Sequence, residues 1–563
     1  MEKRLLLAFM LMGGVLFLMP YLYKSFGPQE PPPKPAPTAQ SQPAEKPAPT
    51  APAAPAAPVK PPRHARVAGA KPAAPRVSAD QEQIFVAETD LYKIVMSNRG
   101  AVVRSWILKK YKDSAGKPLE LVSAAGALKT GYPFSLAYKD TAPAVDLNQA
   151  LYAVKPTADG LGVDYEYSDG EVVARKTLRL QKKSYLSEFT SEVTAGGTGL
   201  AHLIEWRGGF GDGAVQNAAG VQRSVHFDLA SGKLVLKTAG DAKNGPVTDW
   251  GSFSFAGIED TYFAAVFLPL KEGPTALKTS SDDVSGVVHA GAAVGGSSAN
   301  RFLLFVGPKD LDILKSVNPK LEQIVDFGTW FGWLAKPLFL IVNWLNDNLA
   351  HNYGWAIVLI TILINFALLP LKFSSMKSMK KMQALKPQLD AINARYKNVG
   401  MRDPKKAEQN QEVMELYKKH GVNPMGGCLP MLVQLPFFIA FYSVLGIAIE
   451  MRGASWLWVT DLSQPEHLPI HILPILMIVA QFVSQKMTPT PGQDPTQAKM
   501  MLFLPLVFGF MFYNMSSGLV LYWLTSNLVG IGQQWFINRS MPAPPPQAAP
   551  TVAPKRKKGG SKG

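Results

Sequence analysis

Apolar positions gather into long uninterrupted runs at 354–371, 428–449, 470–486, 499–513 and 518–537, with a further run at 1–27. About 20 apolar residues suffice for a helix to cross the hydrocarbon layer, so the pattern predicts six spans: an N-terminal anchor and a core of five. The 470–486 and 499–513 runs are short enough to form a re-entrant hairpin. Lys486 and Lys499 on the connection between them, against Glu450, Asp461 and Glu466 on the preceding loop, favour true spans in a locally thinned bilayer. Residues 28–80 are dominated by Pro, Ala, Lys, Gln and Thr, and read as a semi-rigid tether. Residues 81–320 carry short alternating runs such as Tyr92 to Met96, and Asp169-Gly170 separates VDYEY from EVVARKTLRL. That is the signature of an all-β domain with hairpins, large enough for two packed antiparallel sheets.

Two further stretches are helical. Residues 321–352 place Trp330, Trp333 and Trp344 around a short apolar face broken at Lys336-Pro337. This predicts an amphipathic helix lying in the membrane interface, with an ordinary domain helix as the alternative. In 374–420, Met376, Met379, Met382, Leu385 and Leu389 recur every three or four residues, and Met414 and Tyr417 do so in a second run. The two stripes predict a cytoplasmic helical hairpin, either packed against itself or presenting an adaptable methionine surface.

The formal charge of +16 coexists with a mean hydropathy of +0.03, so basic and apolar residues are segregated along the 563-residue chain. The tail 541–563 contains Lys555, Arg556, Lys557 and Lys558, suited to phosphate-rich partners such as ribosomal RNA or anionic lipid. Lys3 and Arg4 before the first run, and no small-residue cleavage site after it, predict an uncleaved anchor with both termini cytoplasmic and the β-domain outside. Cys428 is the only cysteine, which excludes an intramolecular disulfide.

Polar residues recur inside the spans. Thr361 and Asn365 share one helix face, as do Gln481 and Gln485, and Trp523 and Asn527, while Gln434 lies between Pro430 and Pro436. Interhelical hydrogen-bonded glue and a shared hydrated cavity both account for such stripes. No phosphate-cradling loop occurs, which argues against ATP hydrolysis. His202, Glu205 and His226 lack metal or nucleophile spacing, so no catalytic residue, metal or cofactor is nominated.

From GVNPMGGCLPMLVQLPFFIAFYSVL through ILPILMIVAQFVSQKMTP, DPTQAKMMLFLP and SSGLVLYWLTSNLVGIGQQ, the sequence closely resembles the YidC family of membrane-protein insertases. RFLLFVGPKD marks a weaker likeness to the periplasmic domain of Gram-negative members, a β-supersandwich similar to galactose mutarotases. The resemblance implies a multi-pass inner-membrane protein, not an enzyme. It would insert and help fold nascent inner-membrane proteins, alone or with the Sec translocon (SecYEG, SecDF) and the ribosome, without ATP. Its spans would enclose a hydrophilic groove, lined here by Thr361, Asn365, Gln434, Gln481, Gln485, Trp523 and Asn527. The family's groove usually carries an arginine where this chain has Asn365, so polarity is expected there without positive charge. Two other readings compete: a solute transporter, for which inverted repeats and intramembrane carboxylates are lacking, and a carbohydrate-active enzyme, for which no acid and base pair can be named.

Overall fold

The computed structural model describes residues 74–113, 116–138, 141–213, 218–270, 273–328, 331–396, 403–423, 429–488 and 495–540, without the side chains of 218, 429–431 and 495–502. The expected anchor, most of the tether, Trp330, Cys428 and Lys555 to Lys558 lie outside the described residues.

The β-domain contains three sheets, and every strand pairing among the described residues is antiparallel. The ten-stranded sheet has Phe263–Pro269, Ala299–Pro308, Leu186–Ala195 and Val172–Leu180 as consecutive central neighbours. A five-stranded sheet centres on Val287–Ser297 and His202–Trp206, and a four-stranded one on Tyr92–Ser97 and Val102–Lys112. The predicted hairpin forms between Gly162–Ser168 and Val172–Leu180. Asp169 accepts hydrogen bonds from the Glu171 and Val172 amides, and Gly170 takes the left-handed turn position at φ 100°. The domain begins earlier than composition indicates. Residues 74–80, assigned to the tether, run beside the large sheet: Ala74 N–H bonds to Gly170 O, Val77 bridges Ser168, and Ala79 N–H bonds to Leu151 O. A segment donating main-chain bonds to a strand edge needs no apolar pattern, so its prolines and alanines concealed the pairing.

Alternation builds the core. In Val172–Leu180 every second residue is buried, and Trp106, completely buried, meets Tyr92, Phe134 and Trp206 with ring centroids 5.6 to 6.4 Å apart. Phe134 continues the cluster to Phe189 at 4.6 Å, joining side chains from all three sheets. Lys176 takes one of the inward positions, and its ammonium donates to the carbonyls of Gly100 and Phe134, both at 2.7 Å. Burial pushes it down to about 7.

His202 is also interior, between Leu200 O at Nδ1 and the Ser191 hydroxyl and Asn300 amide at Nε2. Nδ1 therefore carries the proton in a neutral ring. Burial lowers its pKa to about 4, below the ordinary value of 6.5. The unfolded chain binds the extra proton first, so this contribution to stability is complete above pH 6.5 and is lost as pH falls towards 4. Urea titrations at pH 7 and pH 4.5 are expected to show a smaller acid loss for His202→Gln than for wild type. An equal loss in both would remove His202 from that account.

Two helices of 7 residues each, α1 (Ala124–Thr130) and α2 (Leu311–Val317), belong to the β-domain, as does a single turn at Ala218–Val221. The helical region follows with α3 (Gly332–Leu345), α4 (Tyr353–Ala367), α5 (Leu369–Ala384), α6 (Lys386–Arg395), α7 (Lys405–Lys419), α8 (Leu429–Ile447), α9 (Ile472–Met487), α10 (Pro495–Phe512) and α11 (Ser517–Ser540). The last four and α4 coincide with the five apolar runs of the core. The first run is shorter than expected, since α4 ends at Ala367 rather than at 371. Pro370 has no N–H to donate to the turn before it, and the chain breaks at Leu368 before resuming as α5. No single helix among the described residues is long and apolar enough to cross a membrane alone. Gly332–Ala350 and Tyr353–Ala367 pass that test as a pair bent by 114°. The bend follows from the left-handed His351 and from Asn352, whose side chain accepts from the Gly354 and Trp355 amides to start α4 afresh.

Candidate functional site

The polar residues of the apolar helices converge on α11. Thr361 and Asn365 are both buried on one face of α4. Thr361 donates back to Ile357 O at 2.6 Å, so its hydroxyl is satisfied within its own helix. Asn365 reaches outward. Its amide donates to Thr361 O and to the Ser526 hydroxyl on α11, and its backbone carbonyl accepts from the Gln533 amide at 3.0 Å. Gln434 on α8 donates to the same Ser526 hydroxyl at 2.7 Å. A single serine thus ties α4, α8 and α11 together.

Lys372, from the first turn of α5, completes this network. Its ammonium donates to Asn365 Oδ1 at 2.6 Å and to Gln533 Oε1 at 3.1 Å, and no carboxylate among the described residues pairs with it. The expectation that Asn365 leaves the site without positive charge is therefore corrected: the cation arrives from a residue two turns further along the chain. Lysine is long enough to reach back across the break at Leu368. Sequence reasoning passed over Lys372, Ser526 and Gln533. The signal was there, because Asn365 and Lys372 are seven apart and so are Ser526 and Gln533, the spacing that keeps residues on one helix face.

The other nominated residues form a second group. Trp523 Nε1 donates to Gln481 Oε1 at 3.4 Å, joining α9 to α11, and Gln485 lies one turn beyond Gln481. The Trp523 ring is enclosed by Phe438, Phe512 and Phe508 at 4.8, 5.1 and 5.9 Å, so it belongs as much to an aromatic cluster as to a polar face. Asn527 is half-buried, and its amide nitrogen has no hydrogen-bond partner among the described residues.

The hairpin residues also divide in two. Met382 and Tyr417 pack with Leu385, Leu389 and Val422 and form the small core between α5, α6 and α7. Met376 and Met379 instead pack against Ile537 of α11, bonding the base of the hairpin to the bundle. Met414 is exposed beside a cavity of about 330 Å³ shared with Tyr417. The stripe is thus packing over most of its length and a free surface only at Met414.

Comparison with known proteins bears on the same two regions. Residues 344–544 match the family model of the 60Kd inner membrane protein, and residues 85–341 match that of the YidC periplasmic domain. A membrane protein insertase YidC from Syntrophus aciditrophicus is 35% identical, over 96% of this chain and 100% of its own length. Another from Geobacter sp. strain M21 is 36% identical, over 81% of this chain and 85% of its own. A crystal structure described as an active YidC insertase with the first transmembrane domain resolved has 21% identity and a TM-score of 0.36, covering 82% of this chain and 94% of that one. With its β-domain followed by five apolar helices, the chain belongs to the YidC family of membrane-protein insertases.

Proposed function

We propose that this insertase works through the polar network around α11, giving the polar flank of a nascent span a place to rest while its apolar part passes into lipid. The observation that supports this reading is the Lys372 ammonium. Interhelical glue needs only neutral donors and acceptors, and a half-buried cation without a carboxylate adds a desolvation cost that packing alone does not repay. An ammonium held by two amide oxygens keeps its charge available to an incoming anion. No ATP enters this scheme, since transferring about 20 apolar residues from water to lipid supplies the drive.

The 114° bend gives the interfacial reading of α3 a geometric basis. With α4 along the membrane normal, α3 lies close to the membrane plane. Its exposed face carries Trp333, Leu340, Ile341 and Trp344, and its opposite face packs inward through Leu338, Phe339 and Val342. Five core spans, an N-terminal anchor, cytoplasmic termini and an external β-domain complete the arrangement. Cooperation with the Sec translocon, and with the ribosome through the basic tail, follows the family resemblance and the tail's charge.

The test is insertion of a single-span protein into liposomes that contain only this chain and no nucleotide, scored by protease protection of the translocated end. Protection by the wild-type chain is expected, reduced about tenfold in Asn365→Leu, which removes the acceptor for Lys372 and a tie to Ser526. Thr361→Leu is expected to have the smaller effect, because its hydroxyl bonds only within α4. Protection no better than empty liposomes, or unchanged by Asn365→Leu, would refute the network as the working site.

A further inference from the structure

The loop between α8 and α9, residues 448–471, is built as a solid cap. Ala448, Ile449, Met451, Trp456, Val459 and Leu462 are all buried. The cap holds the starts of three helices. Asn352, ahead of α4, donates to Ser455 O at 2.8 Å, and Gly354 lies so close to Trp456 that a Cβ there would be 2.2 Å from the indole. Leu462 O and Gln464 O accept from the Gly518 and Ser517 amides at the start of α11, and Glu466 accepts from the Leu473 amide at the start of α9. Free N–H groups at helix starts attract such acceptors, so the cap fixes the ends of α4, α9 and α11 relative to one another.

Arg452 leaves this cap and enters the β-domain. Its guanidinium pairs with Asp212 at 2.5 Å, donates to Lys112 O at 2.7 Å, and lies over the rings of Tyr262 and Phe263 at 5.4 and 5.8 Å. The arginine side chain is 8% exposed and that of Asp212 4%. The receptor is organised from behind. Asp260 accepts from the amides of Asp212, Tyr262 and Phe263, and Gly211, at φ 82°, is tight enough against Asp260 that a Cβ would overlap its carboxylate. One guanidinium nitrogen, Nη2, meets both the Asp212 carboxylate and the Lys112 carbonyl, while the flat guanidinium lies near two aromatic rings, a contact that guanidinium makes more readily than ammonium.

We propose that Arg452 is a positioning residue through which the β-domain clamps the 448–471 cap over the outer ends of α4, α9 and α11. The β-domain then needs no chemistry of its own: its contribution to insertion is to keep that end of the bundle closed and its helices in register. The clamp does not depend on the Lys372 network, and its first test is independent of insertion.

That test places spin labels at Lys110→Cys in the β-domain and His467→Cys in the cap, in a Cys428→Ser background of the full chain in liposomes. Wild type is expected to give one narrow distance distribution. Arg452→Gln is expected to broaden it while leaving the urea midpoint of the β-domain unchanged, Arg452→Lys to broaden it partly, and Arg452→Glu with Asp212→Arg to narrow it again. In the same liposomes Arg452→Gln is expected to lower the maximal insertion rate about tenfold without moving the substrate concentration for half-maximal rate, because the cap is remote from Lys372. An unchanged distribution in Arg452→Gln, or a charge swap no narrower than the single variants, overturns the clamp. An unchanged insertion rate with a broadened distribution overturns its role in insertion.

Discussion

Lys372→Gln is expected to reduce insertion of a substrate with an acidic translocated segment about tenfold while changing a neutral-tailed counterpart by less than about threefold, the effect of one charge pair worth about 1.4 kcal/mol in a partly screened site. Lys372→Arg should retain the preference, since the guanidinium reaches the same oxygens. Raising the salt concentration should narrow the difference in wild type and leave Lys372→Gln nearly flat. The measurement is the ratio of protease-protected products for the two substrates in one liposome preparation. A ratio unaffected by Lys372→Gln would reduce the ammonium to a packing element. Asn365→Arg, which returns a cation to the site, should restore the preference in the Lys372→Gln background.

Trp106→Ala should be the most damaging single change in the β-domain. The side chain is fully buried among Tyr92, Phe134 and Trp206, where the three sheets meet. Emptying such a site costs about 3–5 kcal/mol, a large share of a domain's net stability. Trp106→Phe should cost clearly less, because the indole N–H has no hydrogen-bond partner among the described residues and its loss strands no acceptor. Urea unfolding followed by near-ultraviolet circular dichroism would rank the two, and equal losses would show that the cluster tolerates a cavity.

Much of this was legible along the chain, for physical reasons that differ by region. Long apolar runs marked five helices because apolar sequence sustained over several turns is longer than an ordinary buried strand. The Asp169-Gly170 hairpin was legible because its turn needs those residue types locally. Lys372 was not, since a lysine beyond an apolar run normally marks the membrane surface, whereas this one reaches back to Asn365. Arg452 was hidden for a similar reason. Its loop was read by charge count, and the carboxylate that receives it lies 240 positions earlier, at Asp212. Residues 74–80 escaped because main-chain pairing leaves no mark on composition.

The position of Ala299–Pro308 in the large sheet constrains how the molecule can be made. This last strand of the β-domain is hydrogen-bonded on one side to Phe263–Pro269 and on the other to Leu186–Ala195. In a chain delivered N-terminus first, the Leu186–Ala195 edge stays open until residue 308 has arrived, and the sheet closes only then. Its unpaired edge is a template for wrong partners throughout that interval. The first core helix begins at Tyr353, so the interval ends only shortly before the membrane region itself emerges. Assembly is therefore ordered in time: the β-domain closes late, and the clamp on the 448–471 cap can engage only after both halves of the chain are complete.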